Sequence, residues 1–299
     1  MNFFIQIIIF LFIVFVYLHV RFQLKVNNDL EVYEIDFVNN ENLQKVCDIR
    51  NPVLFDAPDV VVKHHADVLT KQQSSLEVQV YDIHDFYADK RDPPVSLSLS
   101  AARELVTNDT QSKYYSANNA TFLEETELKD EYRKDDEYLK PALTCWTKYD
   151  YIFGGKNTIT PFSFHVDYRR FLFVAKGQIQ VKMSPWKYHK YVKPIYNFKE
   201  FEFYSKINVW EKQAEYENEY DKLKFVDVIV PAGRVLSIPP YWWYSIKFEE
   251  HGGGGSGSAD NDGGGSDTVV CGFSYRTCMN VLAILPKITA SYIPRGTPN

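Results

Sequence analysis

Residues 3–20, "FFIQIIIFLFIVFVYLHV", are almost unbroken apolar sequence. A bilayer-spanning helix needs roughly 17–25 such residues. No Lys or Arg precedes the run and no small-residue cleavage site follows it, so it reads as an uncleaved anchor rather than a signal peptide. It carries no polar face, which argues against a helix buried in a soluble core. The stretch therefore sets residues 1–22 apart as a transmembrane anchor and leaves 23–299 to fold.

Arg21 and Lys25 follow the span. The positive-inside rule then favours a cytoplasmic body. Two triplets pull the other way. "NDT" at Asn108 and "NAT" at Asn119 are glycosylation acceptors if they face a lumen.

The formal net charge is −6, with no strongly basic block. That argues against nucleic-acid binding driven by phosphate neutralisation. Cys47, Cys145, Cys271 and Cys278 form no CxxC pair and no zinc spacing. Buried free thiols are the plain reading, and Cys271 with Cys278 across a turn is the alternative.

The body is expected to be mainly β with flanking helices, an α+β fold. Residues 23–148 form an N-terminal arm and 149–287 a strand-rich core. In the arm, "NENLQKVCDIR" has amphipathic helical spacing, and "PVLFD" and "LEVQVYDIHDF" read as strands. The Ser of "SLSAARELV" signals a helix start. The charge-dense segment 125–140 reads as a solvated face. After Tyr149, runs such as "FLFVAKG", "FVDVIVP" and "TVVCGFSYRT" are short strands between turns. Residues 251–267 hold eight of the chain's 14 glycines. They read as a disordered insertion between two adjacent strands of one sheet.

One constellation bears on chemistry. In "TPFSFHVD", His165 and Asp167 stand two apart, so on a strand they share a face. An imidazole beside a carboxylate is two thirds of the 2-His-1-carboxylate triad of non-haem iron oxygenases. A buried His bonded to a nearby Asp is the commoner origin of such a pair.

"TPFSFHVD", followed later by "PAGRVLSIPPYWWY", resembles the cupin-like branch of the Jumonji-C superfamily. Stretches such as "KMSPWK" and "FSYRTCMNVLAILPK" are similar to uncharacterised membrane-anchored cupin-like proteins of large DNA viruses and protists. The resemblance implies a double-stranded β-helix, or jelly roll, with His165 and Asp167 as metal ligands and Tyr244 at the position of the third. The family pattern has a histidine there. It also often has a lysine for 2-oxoglutarate where this chain has Ile179, and Lys182 falls on the opposite face of the strand. Thr160 and Arg170 are the candidate cofactor-binding residues, with Arg169 and Arg234 as other guanidinium forks for a carboxylate. His64, His65, His84 and His189 are the candidates for a replacement ligand.

A phenol titrates near 10, which makes it a poor anionic ligand at neutral pH. Tyr244 shares a strand face with Trp242, Ile246 and Phe248, so packing is its expected role. Two readings follow. One is a membrane-anchored relative of Fe(II)/2-oxoglutarate-dependent oxygenases acting on a protein or small molecule, with an incomplete metal site. The other is a non-catalytic binding or structural module held at a membrane.

Overall fold

The computed structural model describes residues 3–62, 65, 75–88, 93–126, 128–197, 201–249 and 268–292. The glycine-rich segment 251–267 and His64 lie outside them. Helix α1 (Phe3–Gln23) is apolar and exposed over most of its length. It is long and apolar enough to cross a bilayer, a property shared by anchors and signal sequences.

The body opens with β1 (Tyr33–Ile35), α2 (Asn40–Cys47) and β2 (Val53–Asp56). Asn39 starts α2 by accepting a bond from the Asn42 N–H, which satisfies one of the free donors of the first turn. Next come β3 (Glu77–Asp82), α3 (Ile83–Tyr87), β4 (Val95–Ser98) and α4 (Leu99–Thr107). The expected long strand 76–86 stops at Asp82. The Asp82 carboxylate caps α3 through the N–H groups of His84 and Asp85. Ser98 caps α4 as its sequence signals. Strand β5 (Tyr114–Ser116) leads to three short helices, α5 (Ala120–Glu125), α6 (Leu128–Lys134) and α7 (Asp136–Leu139). Their charges form surface pairs such as Arg133–Asp130 and Lys134–Glu131.

The remaining strands are β6 (Thr144–Gly154), β7 (Phe162–His165), β8 (Arg169–Lys176), β9 (Gln178–Ser184), β10 (Pro194–Asn197), β11 (Glu202–Ser205), β12 (Val226–Pro231), β13 (Arg234–Ile238), β14 (Trp243–Glu249) and β15 (Thr268–Thr277). A 3-10 turn, Trp186–Tyr191, separates β9 from β10, and α8 (Glu217–Tyr220) precedes β12. The final helix is α9 (Cys278–Tyr292).

These strands build a nine-stranded sheet, ordered β1-β2-β13-β8-β15-β6-β5-β3-β4, and a six-stranded sheet, ordered β10-β11-β7-β14-β9-β12. Among the described residues, all strand pairings are antiparallel except β1 with β2. Five strands of the arm belong to the larger sheet, so arm and core share one framework. Strands β14 and β15, on either side of the glycine-rich segment, lie in different sheets. The expected pairing of two neighbours in one sheet is thereby corrected. Each finds its register elsewhere, β14 against β9 and β15 against β6 and β8.

Alternation along the strands sorts the core into layers. On β8, Leu172 and Val174 join β9 and β14 residues in the cluster between the sheets. Phe171 and Phe173 face the other way, under α2, α4, α5 and α6. On β14, Tyr244, Ile246 and Phe248 point between the sheets. Trp243 points to an outer cluster containing Phe162, Phe164, Phe203 and, from α9, Ile284. Each large apolar side chain so buried contributes about 1.5–3 kcal/mol.

The cysteines are free. Cys271 and Cys278 are seven residues apart along and just past an extended strand, a span of roughly 23 Å, which rules out their pairing. Cys47 and Cys271 are buried, but Cys145 and Cys278 are exposed.

Candidate functional site

His165 ends β7, and Asp167 stands just beyond the strand. Both are buried, with His165 Nδ1 4.0 Å from Asp167 Oδ2. The other ring nitrogen is committed, since His165 Nε2 donates to the Ile238 carbonyl at 3.1 Å. Burial, aided by Arg170, drives the His165 pKa down to about 3, so the ring is neutral.

The Asp167 carboxylate is spanned by two guanidinium groups. Arg276 Nε donates to Oδ1 at 2.6 Å and Arg170 Nη2 to Oδ2 at 3.4 Å. Burial alone would raise the Asp167 pKa, but Arg276 and then Arg170 hold it below the usual carboxylate range.

Arg170 is the hub. It sits on β8 opposite Ser274 of β15 and reaches across to the smaller sheet. Nε donates to Ser274 Oγ at 3.1 Å. Nη1 donates to the Glu202 carboxylate at 3.1 Å and to the Tyr244 hydroxyl at 2.5 Å. Burial opposes its charge, yet the oxygens of Tyr244, Glu202 and Asp167 outweigh that and raise its pKa well above the ordinary value. Glu202 is held low by the same partnership with Arg170, helped by Lys148. The Tyr244 phenol is raised by burial and stays protonated.

Arg170 and Tyr244 line a chamber of about 80 Å³ between the sheets, with Thr160, Lys148, Asp150 and Glu202. Thr160 Oγ1 is already engaged, accepting from the Ile246 N–H at 2.9 Å. His165 and Asp167 lie behind Arg170 and do not line the chamber. The chamber adjoins a vestibule of about 1070 Å³, sharing with it Tyr81, Tyr115, Asn118, Pro161 and Tyr204. Tyr81 and Tyr115 stack at 5.3 Å, and Phe86 meets Tyr204 edge-on at 5.9 Å.

The charges of the chamber balance. Lys148 and Arg170 face Asp150 and Glu202. Lys148 donates to Asn118 Oδ1 at 2.8 Å, and Asp150 accepts from the N–H groups of Asn118 and Asn119. Burial raises the Asp150 pKa, with Lys148 as the strongest opposing influence.

This arrangement does not fit the metal implied by the family resemblance. His165 Nε2–H is held by the Ile238 carbonyl, which leaves Nδ1 as a ligand-competent nitrogen 4.0 Å from Asp167, but both Asp167 oxygens serve guanidinium groups and Tyr244 is a protonated phenol held by Arg170. Among the described residues, no group of three or more His, Cys, Asp and Glu is placed to hold a metal ion.

The other candidates are dispersed. Ile179 is core, while Lys182 lies on the outer face over Trp210. Arg169 is tied to Asp48 and Gln44, and Arg234 to Asp56 and Glu34. His189 stacks on Trp186 at 3.8 Å and His84 is exposed in α3. His65 is buried 2.5 Å from Asp135, with its Nδ1 3.5 Å from the Cys271 sulfur. That Cys–His–Asp line is sealed inside the core under the helices, away from the chamber. Asn119, one of the two glycosylation triplets, is buried. Its amide donates to Ser116 Oγ and the Tyr151 carbonyl and accepts from Gln79, so it presents no acceptor in the folded protein.

Glu202, Ser274, Arg276 and Lys148 carry no motif signature in the sequence. Their role depends on cross-strand neighbours, such as Glu202 opposite His165 and Ser274 opposite Arg170. A hint was present in the alternation of "FEFYS" and "FSYRT", which places a charged or hydroxyl group on the inner face of a strand.

No protein-family model matches the chain, and none of the curated proteins matches it.

Proposed function

We propose that the chain is a membrane-anchored binding module of cupin-like, jelly-roll architecture that works without a metal. One observation carries the reading. The Arg170 guanidinium occupies the space among Asp167, Tyr244 and Glu202, so a fixed organic cation stands where the resemblance calls for iron. An already balanced chamber offers little to a charged ligand, because each added charge loses hydration without finding an uncompensated partner. It suits an uncharged, hydrogen-bonding group, with the ligand's apolar body on the tyrosines of the vestibule. Helix α1 serves as the anchor.

The test is metal content. The full chain in detergent is equilibrated with Fe(II) under anaerobic conditions, freed of unbound ion and assayed for iron, beside His165→Ala. The binding-module reading expects no retained iron in either protein. Near-stoichiometric iron that His165→Ala abolishes would overturn it, and the oxygenase reading with 2-oxoglutarate as cofactor would take its place.

A further inference from the structure

The outer face of the six-stranded sheet gathers three elements that the chamber does not use. The first is the end of α1. Gln23 is buried, Val26 packs into the outer cluster and Phe22 lies against the Arg50 guanidinium at 5.4 Å. The second is α9, which packs along α1. Its Ile284 enters the same cluster while Leu282 and Leu285 stay 48% and 45% exposed. The third is the turn "WKYHKY", Trp186–Tyr191. Both the backbone N–H and Nζ of Lys187 bond to Asn28 at 2.9 Å, which ties the turn to the segment leaving α1. Trp186, Tyr188 and Tyr191 pack on the outer cluster, with Lys187 and Lys190 exposed over the tyrosine rings.

We infer that this face is a second membrane contact, in which the body rests on an anionic lipid surface beside its own anchor. Resting on the anchor role proposed for α1, the assignment follows from continuity and chemistry. The face adjoins the exposed apolar helix, so lipid is the medium nearest to it. Leu282 and Leu285 extend that apolar surface onto the body. Trp and Tyr beside Lys form the combination that settles at headgroup depth, rings in the interface and ammonium groups among phosphates. The sign of charge selects the lipid. Arg21 and Lys25 flank the end of α1 in sequence, Lys187 and Lys190 are exposed on the turn tied to it, and Glu217, Glu219 and Asp221 around α8, whose neighbour Lys222 lies over Tyr191, are paired with Lys212 and Lys193. Juxtamembrane cations of this kind favour an anionic leaflet.

The experiment uses the full chain reconstituted into phosphatidylcholine vesicles with and without phosphatidylserine. Nitroxide labels are placed one at a time by Leu285→Cys, Lys190→Cys, Phe10→Cys and Val95→Cys, with Cys145→Ser and Cys278→Ser removing the exposed thiols. Accessibility to oxygen, which partitions into lipid, is compared with that to a water-soluble nickel chelate. Phe10 reports the anchor. Val95 reports water, since it is exposed on β4 at the far edge of the other sheet. The expected result is a several-fold higher oxygen-to-chelate ratio at Leu285 than at Val95, with Lys190 between them. Lys187→Glu with Lys190→Glu should lower the Leu285 ratio only where phosphatidylserine is present. Aqueous readings at Leu285 and Lys190 with Phe10 in lipid would overturn the contact and leave the anchor standing. An aqueous Phe10 would overturn both. Hydrogen exchange on the unlabelled full chain probes the same contact if a label disturbs folding. Protection of 186–191 and α9 by vesicles relative to detergent supports the contact, and equal exchange removes it.

Discussion

The Tyr244 hydroxyl lies 2.5 Å from Arg170 Nη1, and this bond joins the two sheets across the chamber. Tyr244→Phe keeps the ring and removes the acceptor. A hydrogen bond to a charged group is worth roughly 1.5–3 kcal/mol, so a loss of about that size is expected in chemical denaturation. Bound metal should be unchanged, as measured by elemental analysis. Strong iron uptake by the variant would show that Arg170 does not hold the cation position.

Arg170→Ala should cost more. It strips the main counter-charge from Glu202 and one of two from Asp167. Removing one partner of a buried ionic network costs about 3–5 kcal/mol. The folded pKa of Glu202 is held low by this pairing, so its contribution is present above the unfolded carboxylate value and lost as pH falls through the folded one. The gap between wild type and Arg170→Ala should therefore narrow in acid. Denaturant midpoints at neutral and acid pH measure it, and a gap that widens in acid would contradict the assignment.

His165 sets a second acid dependence. Its folded pKa is about 3 against an ordinary 6.5. Below 6.5 the unfolded chain takes up a proton that the folded ring refuses. Stability from this residue is thus complete above pH 6.5 and declines as pH falls towards 3. His165→Asn should flatten the stability profile across that window, read from melting temperature against pH.

His65 behaves in the opposite sense. Burial opposes its charge, but Cys271 and Asp135 outweigh burial and push its pKa up to about 10. Its contribution is complete below pH 6.5 and is lost as pH rises through 10. Asp135→Asn leaves the imidazole without its carboxylate and should destabilise the protein by about 3 kcal/mol at neutral pH. The difference from wild type should shrink at alkaline pH.

Local signals in the sequence were good guides to local structure. Ser98 marks a helix start, the spacing of "NENLQKVC" marks α2, and strand parity places Ile179 inside and Lys182 outside. Parity also puts Tyr244 between the sheets with Ile246 and Phe248. The role of Arg170 was not legible, because its partners come from strands distant in sequence and their meeting depends on register. The same reason hid the separation of β14 from β15. Neither strand's pattern says which sheet will receive it. The HxD spacing was a true sign of proximity, but two guanidinium groups from β8 and β15 occupy the Asp167 carboxylate and decide what that proximity does.

The parallel pairing of Tyr33–Ile35 with Val53–Phe55 has a mechanical consequence. A tug on α1 reaches the body first through its packing on α9, the Phe22–Arg50 contact and the Asn28–Lys187 bonds, and then through β1, at the edge of the larger sheet. Arg170, on β8, lies three strands further in. Once those contacts yield, the edge strand is the first of the larger sheet to peel, while the chamber keeps its shape.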